Sequence, residues 1–344
     1  MKLQNECRNQ QHNLLYIVDN INQERNMKIV FMGTPDFSAI VLEKLNSVYP
    51  VCAVVTGLDK PVGRGYNLAP SPLKVKAQEL GIPVLQYAKV SREGLDDIRA
   101  LEPDVIVTAA FGQILSDAFL AIPKFAVLNV HASLLPKYRG SSPIQWSIIN
   151  GDEKTGITIM KTVKAVDAGD VLLAKETPIG NKETAGELFD RLAILGGEAI
   201  VEAISLVESG KATFTPQDES KVTHCSMISK SDGQIDFAKT AREIDCFVRG
   251  MTPWPSAYTH LCGKTLKVFD VEGVTLQDLS MGEKICTENA KCGEVVFADK
   301  NHGLIVKVAG GFVRLKSIQL EGAKRMDDTQ FLLGRKIDIG TIFA

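Results

Sequence analysis

The sequence predicts an α/β protein: a Rossmann-like, mostly parallel sheet covered by helices, followed by a small β-barrel of the oligonucleotide-binding (OB-like) kind. Three observations predict it. Short apolar runs alternate with helical patterns from Met27 to Val130, and strands apolar on both faces with helices between them belong to parallel sheets covered on both sides. After about Ser229 the texture changes to five short alternating segments separated by turn residues, the spacing of a small barrel. The chain's 344 residues give room for about two domains.

The elements follow in order. Residues 1–26 are polar and rich in Asn and Gln, with a short apolar island from Leu14 to Val18. That island is too short for a signal-peptide core and runs into Asp19, Asn20 and Asn22 instead of a cleavage site. The segment is expected to be a disordered extension, or to lie upstream of a true start at Met27. Met27–Met32 is a first strand, Gly33–Phe37 a turn, and Ala39, Val41, Leu42 and Leu45 mark one helix face. Further strands are expected at 51–55, 83–85, 104–110 and 126–130, with helices near 73–80, 94–101 and 116–120. Residues 155–163 and 171–179 read as an antiparallel addition at one edge, and 184–208 as a long helix with Leu188, Leu192, Leu195 and Ile200 near one face. This gives a first domain at 27–215, a polar linker at 216–228 and a second domain at 229–344. In the last, a helix through Ile244, Phe247 and Val248 precedes strands at 257–261, 265–271, 293–297, 303–308 and 312–320.

Composition narrows the function. Hydrophobic content of 45% with 23% charged residues is that of a globular protein. A net charge of −2 gives no global basic signature, so any nucleic-acid footprint must be a local patch. Seven cysteines lie far apart without a C-x-x-C pair, and the five histidines are as scattered, so reduced thiols and no metal site are expected. No run approaches 18 apolar residues, so no membrane span is expected; the location expected is cytoplasmic. No segment calls for a protein partner, and a monomer is expected.

The segment from Asn129 to Gln145 bears the chemistry. It begins as the fifth strand ends, so Asn129 and His131 share one face at a carboxyl edge, where open parallel sheets place ligand crevices. Asn supplies an amide donor that cannot ionise, and His exchanges protons near neutral pH. Held side by side, they suit acyl transfer through a tetrahedral oxyanion. An isolated Asn-x-His triplet is usually no more than a strand end. Here it leads into Ser133, Leu134, Leu135 and Pro136, then Arg139-Gly140. The whole run resembles the signature of the folate-dependent formyltransferase family.

That resemblance implies that Asn129 and His131 flank the formyl carbon and that Ser133, Leu134, Leu135 and Pro136 border the site of 10-formyltetrahydrofolate. It also assigns the catalytic carboxylate to Asp167, in Val166–Asp170 between two strands; read alone, that stretch is an acidic turn. The implied reaction is attack of an amine on the formyl carbon. Asn129 and His131 stabilise the oxyanion, and Asp167 orients His131 and helps remove the amine proton, with no metal.

Two features select the amine. The loop from Asp59 to Lys74 carries Lys60, Arg64 and Lys74 among Gly and Pro, which suits an arm that reaches phosphates. It resembles the loop with which one branch of the family engages the acceptor arm of methionyl-initiator tRNA, Arg64 matching the key arginine. The β-rich C-terminal domain, which smaller formyltransferases lack, points to the same branch. The implied product is N-formylmethionyl-tRNA for translation initiation; the alternative is another amine, a sugar-amine or glycinamide ribonucleotide. A nicotinamide oxidoreductase is disfavoured, because Gly33–Phe37 lacks the G-x-G-x-x-G that lets a backbone approach a pyrophosphate.

Overall fold

The computed structural model of the protein describes residues 27–62, 67–275 and 289–343. The chain divides into two compact units. The first takes residues up to Gly140, Thr155–Thr177 and Phe189–His224; the second takes Ser141–Lys154, Pro178–Leu188 and the chain from Cys225. The 1–26 extension expected from the sequence lies outside the described residues.

In chain order the elements are β1 (Ile29–Gly33), α1 (Asp36–Asn46), β2 (Val51–Thr56), β3 (Lys60–Val62), β4 (Asn67–Ala69), α2 (Pro72–Glu79) and β5 (Val84–Gln86). Next come α3 (Val90–Glu93), α4 (Leu95–Ala100), β6 (Val105–Ala109), α5 (Asp117–Leu120), β7 (Ala126–His131) and β8 (Arg139–Gly140). After α6 (Pro143–Ile149) follow β9 (Lys154–Lys161), β10 (Val171–Pro178), α7 (Ala185–Glu208) and β11 (His224–Cys225).

The first unit's sheet has the order β10-β9-β7-β6-β1-β2-β5. Its five strands from β5 to β7 are mutually parallel, and β9 joins β7 antiparallel. These are the five expected apolar runs with the expected antiparallel edge. Every residue of β1, β2 and β6 is buried, as strands covered on both faces require. One face packs Val30, Met32, Val55, Ile106 and Val127 against Ile98, Leu101 and Phe119. On the other, α7 buries Leu192, Ala193, Ala199, Ile200 and Ile204, and its Gly196 comes up to Val130, Val41 and Ile157. Each fully buried aliphatic side chain contributes roughly 1.5–3 kcal/mol, so the alternating pattern fixes which face each strand residue takes. Asn129 and His131 continue the row of Val127, on the face away from α7.

The 59–74 loop contains structure its Gly/Pro content did not predict: β3 and β4 pair antiparallel as a hairpin. Ser71 then caps α2, its Oγ accepting from Lys74 N at 3.1 Å.

In the second unit, α8 (Ala241–Met251) precedes β12 (Ala257–Leu261), β13 (Lys264–Val274), β14 (Val295–Asp299), β15 (Gly303–Val308), β16 (Gly311–Leu320), β17 (Met326–Asp327) and α9 (Asp328–Gly334). The strands form one sheet in the order β12-β13-β16-β15-β14, with β17 on β16, and the pairings are antiparallel. This is the small β domain expected. Ile244, Val248 and Met251 of α8 pack into its core with Leu266, Val268, Val306, Val313 and Leu315. A capping box of Thr240 and Glu243 starts α8. The short α9 has too little apolar period to be read from sequence. It is fixed by a buried Asp328, whose carboxylate accepts from Leu304 N and from Arg314 Nε and Nη2 at 2.7–3.0 Å. No helix of the described residues is long and apolar enough to cross a membrane.

Candidate active site

Strand β7 ends at the carboxyl edge of the parallel strands, beside the end of β6. Thr108 on β6 sits opposite Asn129 in the parallel register. Its hydroxyl donates to Asn129 Oδ1 at 2.8 Å. With the amide oxygen held, both Nδ2 protons point away from Thr108, and they donate to no described group. A donor fixed in this way, at a strand end, is ready for an oxygen atom brought into the crevice. Thr108 carries no signal in sequence; only the pairing of β6 with β7 reveals it.

His131 is buried, with 6% of its side chain exposed. Its Nε2 lies 2.9 Å from the carbonyl oxygen of Tyr138. A carbonyl only accepts, so Nε2 carries a proton and Nδ1 is the nitrogen left for proton exchange. Nδ1 faces Asp167 Oδ2 at 3.6 Å. This is slightly beyond a direct hydrogen bond and within the reach of an ion pair.

Asp167 sits in the loop between β9 and β10, at φ 50°. Left-handed backbone is uncommon outside glycine, but Asp is among the residues that tolerate it. Gly169 brings the loop against β9: a Cβ there would fall 1.6 Å from the carbonyl oxygen of Lys161. The Asp167 carboxylate accepts from Gly140 N at 2.9 Å, and Gly140 has φ 127°, which glycine adopts without strain. Residues 138–140 thus offer a carbonyl to His131 and, two residues on, an amide N–H to Asp167. The Arg139-Gly140 step spaces the two groups.

Arg139 itself is buried. Its Nε and Nη2 donate to Gln217 Oε1 at 3.0 and 2.9 Å, and Nη1 and Nη2 donate to the Glu219 carboxylate at 3.3 and 2.7 Å. The guanidinium holds the Glu219 carboxyl below the usual carboxylate range. Gln217 and Glu219 come from the stretch expected as a linker, whose residues up to His224 belong to the first unit. Its polar composition serves hydrogen bonds to the buried Arg139 here, which composition does not distinguish from solvation.

The 133–136 loop is held from below. Thr158 Oγ1 donates to the carbonyl of Ser133 at 2.7 Å and lies 3.1 Å from Leu135 N. Ser133 is fully buried, and its hydroxyl donates to the carbonyl of Lys137 at 2.6 Å. Its polar atoms therefore build the loop, while Leu134, Leu135 and Pro136 remain half-buried at its surface. After β6, at the same sheet edge, Ile114 is exposed to 79%.

A family model described as formyl transferase matches residues 27–204, and one described as formyl transferase, C-terminal domain, matches residues 227–336. The methionyl-tRNA formyltransferase of Agathobacter rectalis is 42% identical over 320 residues, covering 92% of this chain and 100% of its own. Those of Geobacter metallireducens and Bacillus cytotoxicus are each 44% identical, covering 91% of this chain and 97% and 98% of theirs. The chain belongs to the methionyl-tRNA formyltransferase family. Among solved structures, an N-formyltransferase from Helicobacter canadensis aligns with a TM-score of 0.61 at 19% identity, covering 87% of this chain and 100% of that one. HypX from Aquifex aeolicus aligns with a TM-score of 0.57 at 15% identity, covering 92% of this chain and 50% of that one. At such identities the likeness is one of fold.

The basic residues of the 59–74 loop expected to reach phosphates are placed unequally. Arg64 lies outside the described residues. Lys60 is exposed on β3. Lys74, expected to reach a phosphate, instead directs its ammonium to Asp59 Oδ1 and Oδ2 and Gln86 Oε1, at 3.0, 2.8 and 2.8 Å. Gln86 Nε2 also donates to Asp59 Oδ1, at 2.7 Å. Three acceptors satisfy the three ammonium protons, so Lys74 fastens the base of the loop. In the second unit, Arg325 lies over the Phe269 ring at 4.4 Å, and Lys316 pairs with Glu272 at 3.2 Å.

Proposed function

We propose that this protein transfers the formyl group of 10-formyltetrahydrofolate to the α-amino group of methionyl-initiator tRNA in the cytoplasm, giving N-formylmethionyl-tRNA for translation initiation. The observation that carries this reading is the meeting of His131 Nδ1 and Asp167 Oδ2 at 3.6 Å on the face of β7 that also bears Asn129. Membership of the methionyl-tRNA formyltransferase family supports the choice of amine.

The residues present fit a formyl-folate. A carbonyl oxygen at the strand end would find the Asn129 Nδ2 donors, whose orientation Thr108 fixes. Leu134, Leu135 and Pro136 offer half-buried apolar surface to the flat ring system. When bound, the folate supplies an activated formyl carbon. Asn129 then donates to the charge developing on the formyl oxygen. His131, held by Tyr138 through Nε2, takes the proton lost by the attacking amine on Nδ1. Asp167 faces that nitrogen with a negative charge and stabilises the imidazolium that results. His131 then gives the proton to the folate nitrogen as the bond from that nitrogen to the formyl carbon breaks, releasing tetrahydrofolate. Lys60 and Arg64 are the residues of the 59–74 loop that would meet tRNA phosphates.

The test is incubation with 10-formyltetrahydrofolate and charged initiator tRNA, following formyl-methionine after deacylation. Formylation of the charged tRNA is expected. Formylation of a nucleotide-linked sugar amine, with none of the tRNA, would overturn the assignment.

A further inference from the structure

Besides a long contact from Nε2 to Met160 Sδ at 4.0 Å, Gln217 makes four hydrogen bonds whose directions can be assigned without ambiguity. Arg139 has only donors, so the Gln217 oxygen must face it; the Nε2 atom then faces the carbonyls of Asp167 and Gly169, at 2.9 and 2.7 Å. Those two carbonyls bracket Ala168, next to the one bend at which Asp167 takes a positive φ. An unbranched amide is the side-chain type that can accept from a guanidinium at one end and donate to two backbone oxygens at the other. Glu could not donate to the loop, and Lys could not accept from Arg139.

Arg139 has a second anchor in Glu219 and a third through its own backbone, whose N donates to the carbonyl of Thr223 at 2.9 Å. The clamp therefore joins the residues between Tyr138 and Gly140, which set His131, to the backbone of the loop that carries Asp167. The Asp167 carboxylate itself meets Gly140 N and His131. The loop backbone is otherwise tied by Lys161 N to the carbonyl of Asp170 at 2.9 Å and Ala168 N to that of Ala165 at 3.4 Å, neither of which holds the carbonyls that Gln217 takes.

We propose that Gln217, oriented by Arg139, is a positioning residue for formyl transfer: it holds the Asp167 loop so that the carboxylate stays opposed to His131. It touches neither substrate and acts through Asp167 alone. The inference rests on the reading of Asp167 as part of the catalytic apparatus, and the experiment separates the two.

The single-turnover rate with enzyme in excess is measured for the full chain carrying Gln217→Ala, Asp167→Asn and both, together with KM for the folate and for the charged tRNA. Gln217→Ala is expected to lower the rate by about 10–100-fold, as a displacement of about 1 Å can, with both KM values unchanged. In the Asp167→Asn background the same substitution is expected to have no further effect. A wild-type rate for Gln217→Ala beside a slow Asp167→Asn overturns the positioning role and leaves the reading of Asp167 intact. An equal loss in both backgrounds overturns it as well, because Gln217 would then act by another route. A wild-type rate for Asp167→Asn overturns the underlying reading instead. Should Gln217→Ala not accumulate folded, Gln217→Glu carries the test. It keeps the partner of Arg139 while turning a carboxylate towards the two carbonyls, and the same pattern of loss is expected.

Discussion

His131 and Asp167 face each other across 3.6 Å, yet the segments that bring them there are built on opposite principles. His131 ends a strand whose neighbours on both sides fix its register. Alternation along β7 decides its face, and the burial of Val127 and Val130 enforces that choice. Asp167 stands on an irregular loop with a left-handed backbone. That loop is held by single hydrogen bonds from distant residues: Gly140 N to the carboxylate, and Gln217 Nε2 to the flanking carbonyls. A strand places a group by many small cooperative contacts. A loop places one by a few specific contacts, each of which can be removed alone.

Substitutions can test this contrast. The largest effect is expected for His131→Ala, with turnover falling about 10²–10⁴-fold, the range for loss of a general acid–base group. Binding of charged tRNA, measured by filter retention, should be nearly unchanged; a loss of binding with normal turnover of the bound complex would remove His131 from the chemistry. Gly169→Ala attacks the loop. The new Cβ would overlap the carbonyl of Lys161, so the loop must move, and a loss of about 10²-fold is expected. Thermal unfolding should show this as a local defect, with much less change than a core substitution produces.

Thr108→Val attacks the strand side. It removes one hydrogen bond to Asn129 Oδ1, worth about 1–1.5 kcal/mol, and so a loss of roughly tenfold in turnover is expected. If Thr108→Val proved more damaging than Gly169→Ala, the contrast between a robust strand and a fragile loop would fail.

The smallest effect is expected for Lys74→Met at the base of the 59–74 loop, with activity changing by less than about fivefold. Hydrogen bonds from Lys74, then from Gln86, hold the Asp59 carboxyl below its ordinary value. Such a group adds stability above the ordinary carboxylate range and loses it as pH falls through the lowered value. The melting temperatures of wild type and Lys74→Met should therefore differ at neutral pH and converge in acid.

The parallel strands and the strand-borne pair were legible because period and apolarity are local properties. Residues 29–33, 51–56, 105–109 and 126–131 appear where apolar runs lie, and Asn129 and His131 were visible as alternate residues at a strand end. The hairpin of β3 and β4 was not legible, since its residues carry no alternation. Lys74 shows why charge alone misleads: nothing in the order of residues tells a lysine that meets a phosphate from one that meets Asp59. Gln217 was hidden for a similar reason, since a glutamine in a polar stretch carries no mark of the partners it meets.

The sequence by itself determined the layer architecture, the change to a small β domain after the polar stretch near 216–228, and the residue types available at the end of β7. Hydrophobic period dictates the first two, because burial is decided within a few residues of chain, and the third is read directly from the residues. Tertiary structure alone decided which nitrogen of His131 faces a carbonyl and which faces Asp167, which end of the Asn129 amide is open, and what restrains Asp167. Those are matters of donors and acceptors meeting from remote segments: Tyr138, Thr108, Gly140 and the Arg139–Gln217 clamp. Hydrogen bonds are directional and short-ranged, so their pairing becomes defined once the backbone has closed around them.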